Sequence, residues 1–429
     1  MKIVIKGLKL LNPLQELNTK GDLLIEDGII KKIGDLTEDD LKDSKIFELE
    51  NNYCVPGLFD MHVHLREPGR EDEETVETGC NAAANGGFTG LACMPNTDPN
   101  ADSSEVVRYV KDQAANHLVN VFPIGAVTVE RKGEHLAPIA EMYDAGAVGF
   151  SDDGVAVKTA AILKSAMEYT KMYDTPIIEH CEDESLADGA MNESAVSTLL
   201  GLPPLPSVSE DLVVMRDILM AEYVGARVHI AHISSKNAVE MVRHAKKKGI
   251  KVTAEVTPHH FTLSDESLKT YDTNYKMNPP LRTREDVKAI VEGLKDGTID
   301  CIASDHAPHS SEEKDYEFIF APNGILGLET ELGIALTELY HKKVLTIEQI
   351  VEKLSIKPRQ ILNIPVPEIK EGEKAELTIF DADEIWTVDL KLQKSKSKNS
   401  PFDKRLLTGK PTAVINNSKM YYENEFIDI

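Results

Sequence analysis

Apolar and polar positions follow two textures along the chain. Between roughly residues 52 and 309, short apolar runs recur at "NYCVPGLFDMHVHL", "FTGLACMPN", "NVFPIGAVTV", "AVGFSDD", "TPIIEHC", "ARVHIAHIS", "KVTAEVTPHH" and "DCIASDHAPH", eight in all. Their brevity and β-branched content predict strands. Most are separated by stretches such as "SSEVVRYVKDQAANH", "TAAILKSAMEYTKMY" and "NAVEMVRHAKKKG". Apolar residues there fall three and four apart, which predicts helices. Strand and helix alternating eight times imply an α/β chain folded as a (β/α)₈ barrel. A doubly wound open sheet is the alternative, but no glycine-rich phosphate loop follows the first strand.

The two ends read differently. "IVIKGLKLLN", "GDLLIEDGIIKKIG" and "KIFELEN" near the start, and "GEKAELTIFD", "EIWTVD" and "TAVINNSKMYYENEFI" near the end, alternate without intervening helices. A small β-sandwich-like domain assembled from both termini is the economical expectation. The boundaries that follow are 1–55 and 369–429 for the β-domain and 56–368 for the barrel. The charged stretch "LKLQKSKSKN" reads as a surface loop, and no convincing internal repeat is visible.

Composition narrows the function. A chain of 429 residues accommodates one large domain and an accessory one. The net charge of −25 argues against nucleic-acid binding, which needs a basic footprint. It leaves room for a small anionic substrate, because local cations and a metal decide the field inside a cleft. No apolar run approaches a membrane span, and "MKIVIKGLKLLNP" alternates like a strand rather than a signal peptide. Five scattered cysteines with no C-x-x-C pair fit reduced thiols in the cytoplasm.

The chemistry lies in "LFDMHVHLREPG". In a strand, His62, His64 and Arg66 at i, i+2 and i+4 share one face. A barrel of this kind carries its active site at the C-terminal ends of its strands. The first predicted strand ends in His62 and His64, the fourth in Asp152 and Asp153, the fifth in His180, the sixth in His232 and the eighth in Asp305. A lone histidine in an apolar strand is more often a hydrogen-bonded core residue, and His229 and His259 fit that description. Asp152 also suits a turn before Gly154, while His117, His135, His244 and His341 read as solvated. The strand-end set is another matter, since burying so many polar groups without partners costs several kcal/mol. Imidazole nitrogen and carboxylate oxygen together suit Zn²⁺ or a similar first-row ion.

"HVHLREPG" and "ASDHAPH", with "MPNT", "FSDDG", "EHCED", "AHIS", "EVTPHH", "MNPPLR" and "GLET", resemble the amidohydrolase superfamily and, within it, the class I dihydroorotases. That family interconverts N-carbamoyl-L-aspartate and (S)-dihydroorotate in pyrimidine biosynthesis. The resemblance implies one or two zinc ions, with two favoured: His62 and His64 on the first, His180 and His232 on the second. Asp153 takes the place of the carbamylated lysine that bridges in many amidohydrolases, and Lys158 falls past the turn. Asp305 is implied as a ligand of the first zinc and as general acid/base toward water activated on the metal. Arg66, Asn96 and His309 are implied to grip the substrate carboxylate, and Asn278 with the backbone near Pro322 and Gly324 to recognise the ring amide. A homodimer is expected, and association with aspartate carbamoyltransferase stays open. So do two other readings, a hydantoinase or allantoinase and a non-catalytic partner of the carbamoyltransferase. The long charged loop "SSEEKDYEFIFAPNG" is expected to cover the substrate.

Overall fold

A computed structural model describes residues 1–429. Parallel strands Leu58–Val63, Phe88–Cys93 and Asn120–Pro123 pair in sequence order, and Ile177–Glu179, Val228–Ile230, Val252–Val256 and Cys301–Ile302 form a second parallel run. Two joins close the ring. Phe150 bridges Gly125 on one side and Ile177 on the other, and Val63 bridges His306. The barrel expected from the alternation is therefore present, with its fourth member reduced to a single bridging residue. The reason lies beside it: Asp152 Oδ1 accepts the backbone N–H groups of Val127 and Thr128, both at 2.9 Å. A carboxylate thus replaces the backbone carbonyls a longer strand would have offered.

The barrel strands are apolar on both faces because helices cover them outside and side chains fill them inside. Leu58–Val63 and Phe88–Cys93 are buried at every position. The helix Lys236–Lys247 buries Ala238, Val239, Val242 and Ala245, the three-and-four spacing read from the sequence. Its start is set by Ser235, whose side chain accepts from the Ala238 N–H.

The strands of both termini build one continuous nine-stranded sheet, the small β-domain expected from the two ends of the chain. Its order runs Glu425–Asp428, Lys419–Tyr422, Leu406–Asn416, Leu377–Thr387, Tyr53–Pro56, Lys2–Asn12, Leu17–Glu26 and Ile29–Gly34, with Lys45–Glu48 beside Lys2–Asn12. A cluster of 18 buried residues drawn from both ends of the chain forms its core. Tyr53–Pro56 pairs with both terminal segments, and one residue later the chain enters the first barrel strand. That residue is Gly57, where a Cβ would lie 2.1 Å from Thr89 Oγ1. The accessory sheet is thereby fixed to the strand that carries His62 and His64.

The stretch expected as a surface loop is instead an extended strap. Ser395, Ser397 and Asn399 are buried while Lys396 and Lys398 are exposed, so serine and lysine alternate in and out. Ser397 Oγ donates to Glu73 O at 2.7 Å, and Glu329 accepts the N–H groups of Lys394 and Ser395. Glu73 and Glu74 are consequently buried beneath it.

Candidate metal centre

At the C-terminal mouth of the barrel, two trios of side chains share one carboxylate. His62, His64 and Asp153 form the first, and Asp153, His180 and His232 the second. His62 Nε2 lies 3.3 Å from Asp153 Oδ1, and His64 Nε2 lies 3.5 Å from Oδ2 of the same carboxylate. On the other side, His232 Nε2 and His180 Nδ1 stand 3.8 and 4.0 Å from Asp153 Oδ1. Asp305 Oδ1 completes the first trio at 3.0 Å from His64 Nε2 and 3.6 Å from His62 Nε2. Ligands held about 2.0–2.1 Å from a tetrahedral ion sit roughly 3.3 Å apart. The separations therefore suit donors around a cation better than hydrogen bonds between the donors.

Two further observations support that fit. His62 Nε2 and Asp153 Oδ1 are buried and have no hydrogen-bond partner, a costly arrangement unless something else binds them. The electrostatics also favour positive charge between these groups. Burial alone would push the His62 imidazole down, yet the carboxylates of Glu255 and Asp153 raise it well above its ordinary value. Burial would likewise raise Asp153, but His62, His232 and His64 hold it well below the usual carboxylate range. Asp305 is lowered in the same way, with the His64 hydrogen bond and the charge of His62 outweighing burial.

Surrounding side chains hold this cluster. Glu255 Oε1 lies 2.6 Å from His62 Nδ1 and its Oε2 lies 3.2 Å from His229 Nε2. His229 in turn meets Thr253 Oγ1 at 2.8 Å, so it is the hydrogen-bonded core residue expected. Asn96 Oδ1 lies 2.8 Å from His64 Nδ1, which fixes that ring with Nε2 facing the cluster. Asp60 Oδ1 accepts the N–H of His62 at 3.0 Å and of Ser304 at 3.2 Å, tying the first strand to the eighth. Sequence reasoning missed Glu255 and Asp60; each is a lone acid inside an apolar strand, and that isolation was the available signal. His259 is buried, with its imidazole pushed down to about 3 by burial.

Three residues of the site are bent into the left-handed region. Arg66, His232 and Asp305 have φ of 61°, 31° and 48°. Such φ values are uncommon outside glycine and cluster at functional sites. Here they turn side chains into the mouth where the strands end.

The cavity beside the cluster has a volume of about 200 Å³, and Arg66, Asn96, Asn278, His309, Asn323 and Gly324 line it together with the metal-facing groups. Arg66 Nε donates to Pro308 O at 3.0 Å and pairs with Glu73 Oε2 at 3.1 Å. His309 Nδ1 lies 2.9 Å from Glu73 Oε1. Asn278 Nδ2 donates to Glu182 Oε1 at 3.1 Å, while its Oδ1 is buried without a partner. Gly324 lines the cavity, but its backbone is engaged elsewhere: the N–H donates to Lys276 O, and the carbonyl accepts from Lys314 Nζ and Asn399 Nδ2. Pro322 stands outside the lining, its carbonyl turned to Lys314 Nζ at 2.9 Å, and Asn323 takes its place. Asp152 serves the backbone of residues 127 and 128, and Lys158 is exposed.

Among solved structures, the L-hydantoinase (dihydropyrimidinase) of Arthrobacter aurescens matches with a TM-score of 0.86 at 26% identity, covering 99% of this chain and 97% of that one. Barrel, terminal sheet and paired donor trios together define a metal-dependent cyclic amidohydrolase. A family model described as dihydro-orotase-like matches residues 52–238. The chain is 49% identical to the dihydroorotase of Acetivibrio thermocellus over 95% of its length and 96% of the relative's. It is 47% identical to that of Pelotomaculum thermopropionicum over 100% of both. The chain belongs to the dihydroorotase family.

Proposed function

We infer that this chain interconverts N-carbamoyl-L-aspartate and (S)-dihydroorotate, and that the residues at the barrel mouth carry the reaction. The observation that bears most weight is Asp153 shared between two histidine pairs. His62, His64 and Asp305 would hold one zinc ion, His180 and His232 a second, and Asp153 both. The chemistry a bound ion supplies there is polarisation of the amide carbonyl and acidification of an attacking water, whose pKa falls from 15.7 to about 7.

The chain's own residues do the rest. In ring opening, an oxygen–carbon bond forms at the ring carbonyl and the ring carbon–nitrogen bond breaks. Asp305, ionised and lining the cavity, accepts the water's proton and delivers it to the departing nitrogen. Ring closure runs the same steps backwards and releases water. Arg66 offers a planar fork to the substrate carboxylate, with Asn96 and His309 beside it. Asn278 Oδ1, unpartnered in the structure, suits the ring N–H. Five free, buried thiols fit work in the reducing cytoplasm.

The direct test is an assay of the purified protein with L-dihydroorotate and N-carbamoyl-L-aspartate, before and after chelation and zinc repletion. Hydantoin and allantoin run in parallel. Zinc-dependent turnover of the dihydroorotate pair is the expected result. Turnover of hydantoin or allantoin in its place would overturn the roles given to Arg66, Asn96 and His309. A metal-loaded protein that turns over none of them would overturn the catalytic reading.

A further inference from the structure

Asp153, on which both donor trios depend, sits just past the point where the fourth barrel segment leaves the ladder. The Ser151 N–H still donates to Gly125 O at 2.9 Å. The Asp153 N–H reaches only back to Ser151 Oγ, 3.0 Å away. An aspartate has one methylene between backbone and carboxylate, so its oxygens lie where its backbone puts them. Metal–ligand distances tolerate only about 0.2 Å. Play in the backbone at residue 153 would therefore misplace the carboxylate toward both trios at once.

The support comes from Arg131, which ends the short turn Val129–Arg131 after the third strand. Its Nη1 donates to the Asp153 carbonyl and, more weakly, to the Asp152 carbonyl at 3.5 Å. Its Nε donates to Asn100 Oδ1 at 2.7 Å, in the loop that also carries Asn96, the partner of His64. Asp152 reaches back the other way: Oδ1 accepts the N–H groups of Val127 and Thr128, and Oδ2 accepts the Thr128 hydroxyl at 2.6 Å. The turn and the Asp153 segment thus hold each other by a two-way clasp.

Two features mark the clasp as more than loop packing. Glu130 and Arg131 have φ of 52° and 54°, successive residues in a region that side chains other than glycine seldom enter and that clusters at functional sites. A guanidinium beside two aspartates would ordinarily pair with a carboxylate. Here its hydrogen bonds go to carbonyls and to Asn100, while the Asp153 oxygens face the histidines. Arg131 does not line the substrate cavity, so its influence on the reaction runs through Asp153.

We propose that Arg131 is the positioning residue of the shared carboxylate: it fixes the Asp153 backbone so that one short side chain serves both trios, and leaves both carboxylate oxygens free to do so. The role rests on the metal-centre reading.

Zinc binding by the purified full-length chain, measured by equilibrium dialysis with metal analysis, tests it. Arg131→Ala should weaken every zinc ion the parent holds by about 10- to 100-fold, the usual effect of losing support behind a ligand. The ions should weaken in parallel, because they share Asp153. Guanidinium ion, well below denaturing concentration, should restore most of that affinity by refilling the vacated position, where sodium ion at equal ionic strength should not. Arg131→Lys keeps a cation and a donor but loses the planar fork, so its affinity should fall between those of the parent and R131A. It also carries the test if alanine disturbs the turn, which circular dichroism would reveal. Unchanged zinc affinity in both variants of a zinc-binding parent would overturn the role of Arg131 alone. So would a loss confined to one of two ions, or a loss in R131A that guanidinium leaves in place. A parent that binds no zinc would overturn the metal centre itself, and this role with it.

Discussion

Glu255 grips His62 from below the metal-facing cluster: its Oε1 lies 2.6 Å from Nδ1, with both groups fully buried. A carboxylate behind a ligating histidine fixes the ring and makes its other nitrogen a better donor. Burial would raise the carboxyl of Glu255, but His62 and His229 lower it to about 2, so it is ionised at any working pH. Glu255→Gln keeps the shape and removes the charge. Zinc affinity should fall by about 10- to 100-fold, read by competition against a chromophoric chelator. Unchanged affinity would show that the contact is packing alone.

Asp305 is placed by a left-handed backbone, φ 48°. Asparagine tolerates that conformation where alanine is strained, so Asp305→Asn isolates the chemistry. Turnover should fall by about 10²- to 10⁴-fold or more, as expected when a positioned acid/base is removed, with the unfolding temperature held within a few degrees. Near-parental turnover in the zinc-loaded variant would exclude Asp305 as the proton carrier.

Asn399 clamps the loop that lines the substrate cavity. Its Nδ2 donates to Ala307 O at 2.9 Å and Gly324 O at 3.1 Å, and its Oδ1 accepts from His309 N at 3.0 Å. Removing such buried bonds costs roughly 1–3 kcal/mol. Steady-state kinetics of Asn399→Ala should show KM for dihydroorotate raised about tenfold, the equivalent of ~1.4 kcal/mol, with a much smaller change in kcat. An equal fall in kcat with KM unchanged would contradict a substrate-positioning role.

His117 ties the barrel to the terminal sheet. Its ring stands edge-on to Phe426 at 5.2 Å, Nε2 faces Asn81 Oδ1, and Nδ1 accepts from Val119 N. Nδ1 has no room for a second proton, and burial followed by the charge of Lys419 lowers the imidazole to about 4. Between pH 4 and 6.5 the unfolded chain therefore binds more protons than the folded one, and stability rises with pH across that window. The full contribution, at most about 3 kcal/mol, is present above pH 6.5 and lost as pH falls toward 4. Urea midpoints of the parent and His117→Gln should converge at low pH and separate toward neutrality. Parallel curves would exclude His117 as the source.

Much of this site was legible in the residues because barrel geometry concentrates chemistry at strand ends. His62, His64, His180, His232 and Asp305 each close an apolar run, and the structure brings the four histidines together around Asp153, with Asp305 beside His62 and His64. What escaped reading depends on contacts between distant segments. Glu73 and Glu74 look solvated until the strap covers them, and His117 looks solvated until Phe426 packs on it. Asn399 sits in a lysine-rich stretch whose serine–lysine alternation was its one local mark. The fourth barrel segment failed as a strand because Asp152 supplied the acceptor its backbone would have provided.

The strap has a consequence for how the protein is made. Every donor to the proposed metal ions has been synthesised by residue 305, but Asn399 is joined only 94 residues later. A nascent chain still held by the ribosome can thus possess all its donors while the loop around His309 and Gly324 stays unclamped. Completion of the substrate cavity waits on Asn399, so the order of synthesis lays down the donors well before the clamp on the pocket they serve.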